Sequence, residues 1–280
     1  MFIDCHMHAF ADKIAHKAVN QLINYYQMPT PFGGRLDDVL AAADEAGLDG
    51  LVLLVAATKP EQVKPANDWV LSMVNQYHQE KEKALPKLKI AHFGTYHVDD
   101  PGWLSEIKRL RSAGVKGIKL HPEFQGIDLA NPKLKPFLEE VKNDFILMIH
   151  VGDPVVSPNN MSTPKKIAAI LDDFPGIKII AAHLGGYCFW DEAYDLLAGR
   201  DVYLDTSSAL SYMDQGLARK IFAKHGTDKI LFGSDFPLRS PRQDFEVLDR
   251  IDWLSNRDKE RILGLNCAQL LPELQCLMEH

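Results

Sequence analysis

A closed (β/α)8 TIM barrel of parallel strands is the fold class this sequence predicts, and three observations predict it. From Phe2 onward, apolar runs of strand length alternate with helical stripes without a break. The chain's 280 residues match the size at which such a barrel forms one domain, here residues 1–280. Ionisable residues also close several of the apolar runs at their carboxyl end, where barrels of this kind carry their chemistry. Strict alternation requires parallel strands joined by right-handed crossovers. An open doubly wound sheet accepts the same pattern, but its first loop usually carries a glycine-rich phosphate fingerprint, and none follows His8.

The elements follow in order. The first strand, 2–8, reads FIDCHMH. Residues two apart share a face of an extended chain, so Phe2, Asp4, His6 and His8 are expected on one side, with Ile3, Cys5 and Met7 on the other. Two imidazoles at a strand's end can grip one ion, and Asp4 is placed to orient them or the strand around them. The connection 9–32 is long, and its Ile14, Ala18, Leu22 and Ile23 predict a helix before Tyr25 and Tyr26. An insertion directly after a ligand-bearing strand is a candidate lid. A helix over 36–46, stopped by Gly47, leads to the unbroken apolar strand 51–57, the pattern of a strand covered on both faces. The pairing then repeats: helix 69–83 with strand 88–97, 103–113 with 115–121, 134–142 with 145–151, 164–174 with 177–183, 190–198 with 202–205, and 217–224 with 230–235. Helices over 245–254 and 259–271 close the chain, the last being an addition to the barrel. No low-complexity segment, charge block or linker marks a domain boundary.

Composition narrows the function. The chain is 46% hydrophobic and 25% charged, as an ordinary globular protein is. Its net charge of −7 comes with no basic block, so the footprint of nucleic-acid binding is missing. No apolar run approaches the ~18 residues of a membrane span, and no signal-type segment precedes the first strand. A cytoplasmic protein acting on a small molecule is expected, with neither nucleic acid nor membrane as partner. A homodimer is the commonest arrangement among soluble oligomers. Cys5, Cys188, Cys267 and Cys276 lack CxxC spacing, so neither a disulfide framework nor a thiolate zinc site is expected. Any metal is held by nitrogen and oxygen, and Cys188 reads as a small hydrophobe.

Strand five runs into His150, strand six into His183 before Gly185 and Gly186, and strand eight into Asp235. A lone histidine ending an apolar strand is usually structural. Several such groups on one rim are not expected by accident, and ligands to one ion must converge from separate strands. Lys119 and His121 share a face of strand four, so both should point toward the barrel mouth. His121, Glu123 and Gln125 are natural substrate contacts, although a turn set by Pro122 accounts equally well for the last two. His97 reads as an exposed loop residue, and Asp205 as a structural group or one that orients the ligands. Arg35 and Arg239 have the fork that clamps carboxylates, surface charge being the commoner role. Tyr25, Tyr26, Tyr187, Phe189 and Trp190 offer either cleft walls or packing.

Six stretches now stand in order on the predicted strands: IDCHMH (3–8), GIKLHPEFQG (117–126), ILMIHVGDP (146–154), AAHLGG (181–186), VYLDTSS (202–208) and LFGSDFP (231–237). Together they resemble the amidohydrolase superfamily, and more closely its amidohydrolase-2 family of metal-dependent hydrolases and decarboxylases. The resemblance implies one divalent cation, usually Zn2+, held by His6, His8, His150 and Asp235, with an open position for water. Histidine and carboxylate also accept Mn, Fe or Co. His183 matches a strand-six histidine that ligates in binuclear relatives and contacts water or substrate in mononuclear ones. Lys119 lies where some relatives carry a carbamylated lysine bridging two metals; an anion contact or an ion pair inside the barrel are its alternatives. The implied chemistry is hydrolysis of a small amide, lactone or ester, with Asp235 taking the proton of an activated water and His183 or the cation stabilising the oxyanion. Relatives with the same residues decarboxylate small aromatic or unsaturated acids, a reading that asks for an arginine such as Arg239 near the metal. A phosphoesterase of another HxH barrel family and a non-catalytic metal-binding protein are the remaining alternatives.

Overall fold

The computed structural model of the protein describes residues 1–80 and 88–279. Eight parallel strands lie in sequence order: β1 (Ile3–His8), β2 (Gly50–Leu54), β3 (Lys89–Thr95), β4 (Gly117–Leu120), β5 (Ile146–Ile149), β6 (Lys178–Ala181), β7 (Tyr203–Asp205) and β8 (Ile230–Leu231). The Cys5 amide donates to the Phe232 carbonyl (2.9 Å), the Asp235 amide to His6 (2.9 Å) and the His8 amide to Phe236 (2.8 Å). These bonds join the first strand to the last and draw the sheet into a nearly closed barrel. Helix α1 (Asp12–Tyr26) and the single turn α5 (Pro122–Gln125) lie at the mouth, while α2 (Leu36–Ala46), α3 (Val63–Glu80), α4 (Trp103–Ser112), α6 (Lys135–Val141), α7 (Pro164–Asp173), α8 (Trp190–Leu196), α9 (Gln215–His225) and α10 (Pro241–Asp249) cover the outside.

Helix starts follow local chemistry. Thr163 caps α7 by accepting from the Lys166 amide, with Pro164 in the first turn, and Ser240 with Pro241 does the same for α10. The helix read over 69–83 begins earlier, at Val63, because Pro60 opens a 3₁₀ turn that feeds directly into it. Its far end, 81–83, lies outside the described residues. The last predicted helix is α11 (Asn256–Glu260), a π-helical turn Arg261–Leu265 and α12 (Asn266–Leu270) in succession. The π turn presents the Ile262 carbonyl to the Phe232 amide at 2.9 Å, tying this addition to β8. Beyond it, Leu274 and Leu277 pack on Gly50 and close the amino-terminal end of the barrel.

β1 departs from the simple alternation read in its sequence. Asp4 pairs with Leu51 and Met7 with Leu53, so β1 spends one residue more than β2 across the same interval. This bulge lets Cys5 and His6 oppose the single residue Val52. Ile3 and Cys5 consequently join Val52, Leu54, Phe93, Met148 and Ile180 in the apolar lumen, while Met7 joins the outer core with Leu51 and Leu53. Asp4 does not share a face with His6 and His8, as strict parity predicts; it lies outside the lumen. Small residues make room for large ones in that lumen. The Phe93 ring covers the Cα of Gly117, where a methyl group would come within 2.3 Å of it.

Candidate metal centre and active site

The lumen is apolar at its floor and changes character one layer below the mouth. There Lys119, His6 and Asp205, all fully buried, point into the barrel. Above them His8, His121, His150, His183 and Asp235 ring the opening. His6 Nε2 lies 3.2 Å from His8 Nε2 and 3.5 Å from Asp235 Oδ1. Adjacent ligands of a tetrahedral ion with bonds of ~2.0–2.1 Å sit ~3.3 Å apart. Among the described residues, His6, His8 and Asp235 form one group whose ligand atoms fall within 4.8 Å of each other.

Each ring's outer nitrogen decides what its inner nitrogen offers. His6 Nδ1 lies 3.0 Å from Asp205 Oδ2, so it carries the proton and Nε2 presents a lone pair. His8 is hydrogen-bonded to the Leu54 backbone. His150 Nε2 lies 3.0 Å from the Gly152 carbonyl, and His183 Nδ1 lies 2.9 Å from that of Ser207. Carbonyls demand donors, which leaves His150 Nδ1 and His183 Nε2 facing each other, 2.9 Å apart, as two lone pairs. A cation resolves that opposition. Burial holds all four imidazoles well below their ordinary pKa, His183 at about 4, so they stand neutral and able to ligate. The donor set therefore fits a divalent ion. His183, with its proton committed to Ser207, is an acceptor or ligand toward the cavity; the oxyanion-donor role expected of it is not open to this tautomer.

Asp205 organises the row. Its Oδ1 accepts from the His183 amide (3.0 Å), the Ser207 amide (3.0 Å) and the Ser207 hydroxyl, while Oδ2 holds His6. Asp4 works on backbone: its Oδ1 accepts from the amides of His6 (2.9 Å) and Ser234 (3.1 Å), pinning the bulge of β1 to the end of β8. Burial pushes the Asp4 carboxyl up to about 8. Asp235 Oδ2 accepts from the Ser208 hydroxyl at 2.8 Å. Burial pushes Asp235 up and Lys119 down, and Lys119 Nζ rests 3.1 Å from His6 Nε2. Four residues here adopt left-handed backbone angles, His183 (φ 62°), Leu184 (φ 51°), Ser208 (φ 45°) and Asp235 (φ 67°). Such angles are costly outside glycine and persist where surroundings impose them. The Leu184 amide donates to Asp205 (2.7 Å), and the Trp190 indole donates to the His183 carbonyl (3.0 Å).

His6, His8, His150 and Asp235 all line one cavity of about 80 Å³, but among the described residues His150 groups within ligand distance with His121 and Glu123 and not with His6, His8 and Asp235. Ala18, Leu22 and Tyr26 of α1 form its lid-side wall, with Phe10, Phe124 and Leu238 around them. Two bonds hold the connection down, from the Tyr25 hydroxyl to Asp153 and from the Thr30 hydroxyl to the Pro237 carbonyl. Tyr187 lines a smaller chamber of about 10 Å³ with Tyr26, His183, Ser208 and Asp235.

Other candidates stand elsewhere. Arg239 is spent on Asp244 (2.7 Å), Ser211 (2.8 Å) and Tyr212 (3.2 Å) and does not line the cavity. Glu123 accepts from the Ser162 amide (3.0 Å) and hydroxyl (2.7 Å) and does not line the cavity, but one of its oxygens lies within 4.8 Å of ring nitrogens of both His121 and His150. Gln125 is a buried knot binding the carbonyls of Ala57 (2.8 Å) and Tyr96 (2.7 Å). His97 is buried, not exposed, because its Nε2 bonds the Gln125 carbonyl at 3.1 Å. Arg35 is exposed at the start of α2. Phe189 and Trp190 lie outside the cavity lining. Sequence reasoning missed Ser207 and Ser208; their signal was the run DTSS directly after β7.

A nearly closed parallel barrel with a histidine and carboxylate cluster at its carboxyl rim defines a metal-dependent barrel enzyme class. The chain belongs to the amidohydrolase family (Amidohydro_2), whose model matches residues 3–272. The fold is shared with an uncharacterised TIM-barrel protein from Bordetella bronchiseptica (TM-score 0.77, 16% identity, 98% of this chain and 99% of that one). It is shared too with 5-carboxyvanillate decarboxylase from Sphingomonas paucimobilis (0.72, 16%, 97% and 98%). A third is a dihydroxybenzoic acid decarboxylase from Polaromonas, solved with bound manganese and the inhibitor 2-nitroresorcinol (0.66, 16%, 96% and 96%). No curated protein matches the sequence. Among the described residues, no helix is long and apolar enough to cross a membrane.

Proposed function

We propose that the protein is a metal-dependent hydrolase that adds water to the carbonyl carbon of a small amide, lactone or ester. One observation carries the reading: Asp235 directs Oδ1 to the His6–His8 pair while Ser208 holds Oδ2, so one carboxylate serves both the cation and a proton. His6, His8, His150 and Asp235 would hold one ion, with His183 beside them; Zn2+ suits the set, as does Mn2+. The bound cation supplies an acidified water and a polarised carbonyl. Asp235 accepts the proton, and its protonated carboxyl then meets the leaving group. Lys119, whose Nζ lies beneath the site 3.1 Å from His6 Nε2, would yield that lone pair to the bound cation and adds positive charge below it.

Decarboxylation of a small aromatic or unsaturated acid is the second reading. It is favoured by the cavity wall, where Phe10, Leu22, Phe124, Pro237 and Leu238 stand and, among the described residues, no arginine or lysine does. A carboxylate is poorly solvated there. With Arg239 occupied, the substrate carboxylate would have to be anchored at the cation, which leaves hydrolysis the simpler fit. Metal-loaded protein is to be given lactones, amides, esters and aromatic acids in 18O-labelled water. Label in a new carboxyl product supports hydrolysis, and release of CO2 refutes it. Asp235→Asn is expected to keep the fold and much of the metal and to lose turnover; a metal-loaded variant that still turns over would sink the assignment.

A further inference from the structure

Four histidines of the site are locked in one tautomer by an acceptor behind them; His121 is not. Its Nδ1 is buried and has no hydrogen-bond partner, the one site-lining imidazole nitrogen among the described residues in that state. The ring is clamped flat between Phe124 (centroids 4.3 Å apart) and His150 (4.0 Å), so it cannot turn to find one. Its Nε2 lies 3.2 Å from the Tyr26 hydroxyl.

Tyr26 occupies the last turn of α1, where Gln27 takes a left-handed angle (φ 55°) and ends the helix. Its phenol lines both the main cavity and the smaller chamber, as do His150, Asp235 and Leu238. A molecule seated against His6, His8 and Asp235 therefore also lies against this hydroxyl. His150 Nε2, 3.5 Å away, already donates to Gly152, so it cannot accept the phenol proton. The Tyr26–His121 bond can run either way: Tyr26 donates when His121 carries its proton on Nδ1, and His121 Nε2–H donates to the phenol oxygen in the other tautomer, which frees the phenol proton for the cavity.

Resting on the reading of the site as a metal centre for a carbonyl-bearing substrate, we propose that His121 and Tyr26 form a switchable donor chain for the substrate's oxygen. A ligand oxygen accepts from the Tyr26 hydroxyl while His121, in its Nε2–H tautomer, donates to the phenol oxygen, so the ligand selects that tautomer without a proton crossing the ring. Two hydrogen bonds in series then point at the substrate. This supplies the oxyanion donor that His183 cannot be. The substrate class follows: a small ring or chain with one oxygen for the cation, a second for Tyr26 and an otherwise neutral body, since no lining cation among the described residues answers a distant carboxylate.

The test uses benzohydroxamate, a ring with two oxygens, titrated into zinc-loaded protein by calorimetry and followed by 15N spectra of the histidines. Tyr26→Phe keeps the ring and its packing, and is expected to weaken binding about 10-fold with zinc content unchanged. In wild type the His121 signals are expected to report the Nε2–H tautomer in the complex. Equal affinity in Tyr26→Phe, or His121 in the Nδ1–H tautomer in the complex, overturns the inference. Failure of the probe to bind zinc-loaded wild type at all, with apo protein the same, instead overturns the metal-centre reading beneath it.

Discussion

Asp205→Asn isolates the carboxylate that sets the tautomer of His6. The asparagine oxygen can keep the amides of His183 and Ser207 that Oδ1 now accepts at 3.0 Å each, so the β7 rim retains its shape. Its NH2 then replaces Oδ2, 3.0 Å from His6 Nδ1. Two donors cannot share that line. His6 must either give up the bond or move its proton to Nε2, where it would point at the ligand position between His8 and Asp235. Loss of such a group behind a metal-bound histidine weakens metal binding about 10- to 100-fold, or about 1.4–2.7 kcal/mol. Zn2+ affinity by competition with a chromophoric chelator reads this directly, with circular dichroism checking the fold. Asp4→Asn is the control. Burial holds Asp4 at about 8, so it is a neutral acid at pH 7, and the amide changes no charge there. Its effect on affinity should be small. Unchanged zinc affinity in a folded Asp205→Asn protein, or an equal loss in both variants, would refute the tautomer reasoning.

Two further perturbations test the scaffold. A methyl group added at Gly233 would come within 2.9 Å of the His6 Cβ and 3.3 Å of the Ser207 Cβ. Gly233→Ala should therefore destabilise by about 1–3 kcal/mol, a fall of several degrees in thermal midpoint, and displace His6 with loss of metal affinity. A variant with wild-type midpoint and affinity would show that the β8 rim has slack the structure does not suggest. Burial raises the Glu123 carboxyl from 4.5 to about 7, so the folded chain keeps a proton that the unfolded chain has released. Its contribution to stability is full below pH 4.5 and is lost as pH rises to about 7, by at most about 3 kcal/mol. Urea unfolding at about pH 5 and about pH 8 should show a shallower fall for Glu123→Gln than for wild type; equal slopes would count against it.

The barrel was readable because eight apolar runs and their helices obey simple periodicities, and the rim because ionisable residues stand where those runs end. What could not be read depends on departures from period. Strict alternation placed Asp4 beside His6 and His8, and a single inserted residue in β1 overturned it, since a bulge has no signature in a short run of mixed residues. Arg239 looked free in sequence because its partners are Asp244, five residues on in α10, and Ser211 and Tyr212 from the segment after β7, and no periodicity pairs them. His97 and Gln125 likewise found each other across two strand ends. Strands also proved shorter than their apolar runs. In β8 only Ile230–Leu231 is extended in the sheet, because close packing at Gly233 and a left-handed Asp235 turn the chain toward the site.

The rim histidines differ in function because of what lies behind them. A carboxylate or a backbone carbonyl behind a ring fixes the proton there and presents a lone pair forward, the arrangement a cation needs and a substrate oxygen does not. His6, His8, His150 and His183 all have it, and three of those acceptors are main-chain groups that no side-chain substitution removes. Under the proposed reading, the cation is held by rings whose tautomers are fixed largely by the backbone, and substrate contact falls to the ring without such a partner and to Tyr26 of α1. Exchange of Tyr26 is then expected to change what the cavity accepts while those backbone acceptors stay in place, so one metal platform would serve different carbonyl or carboxyl substrates.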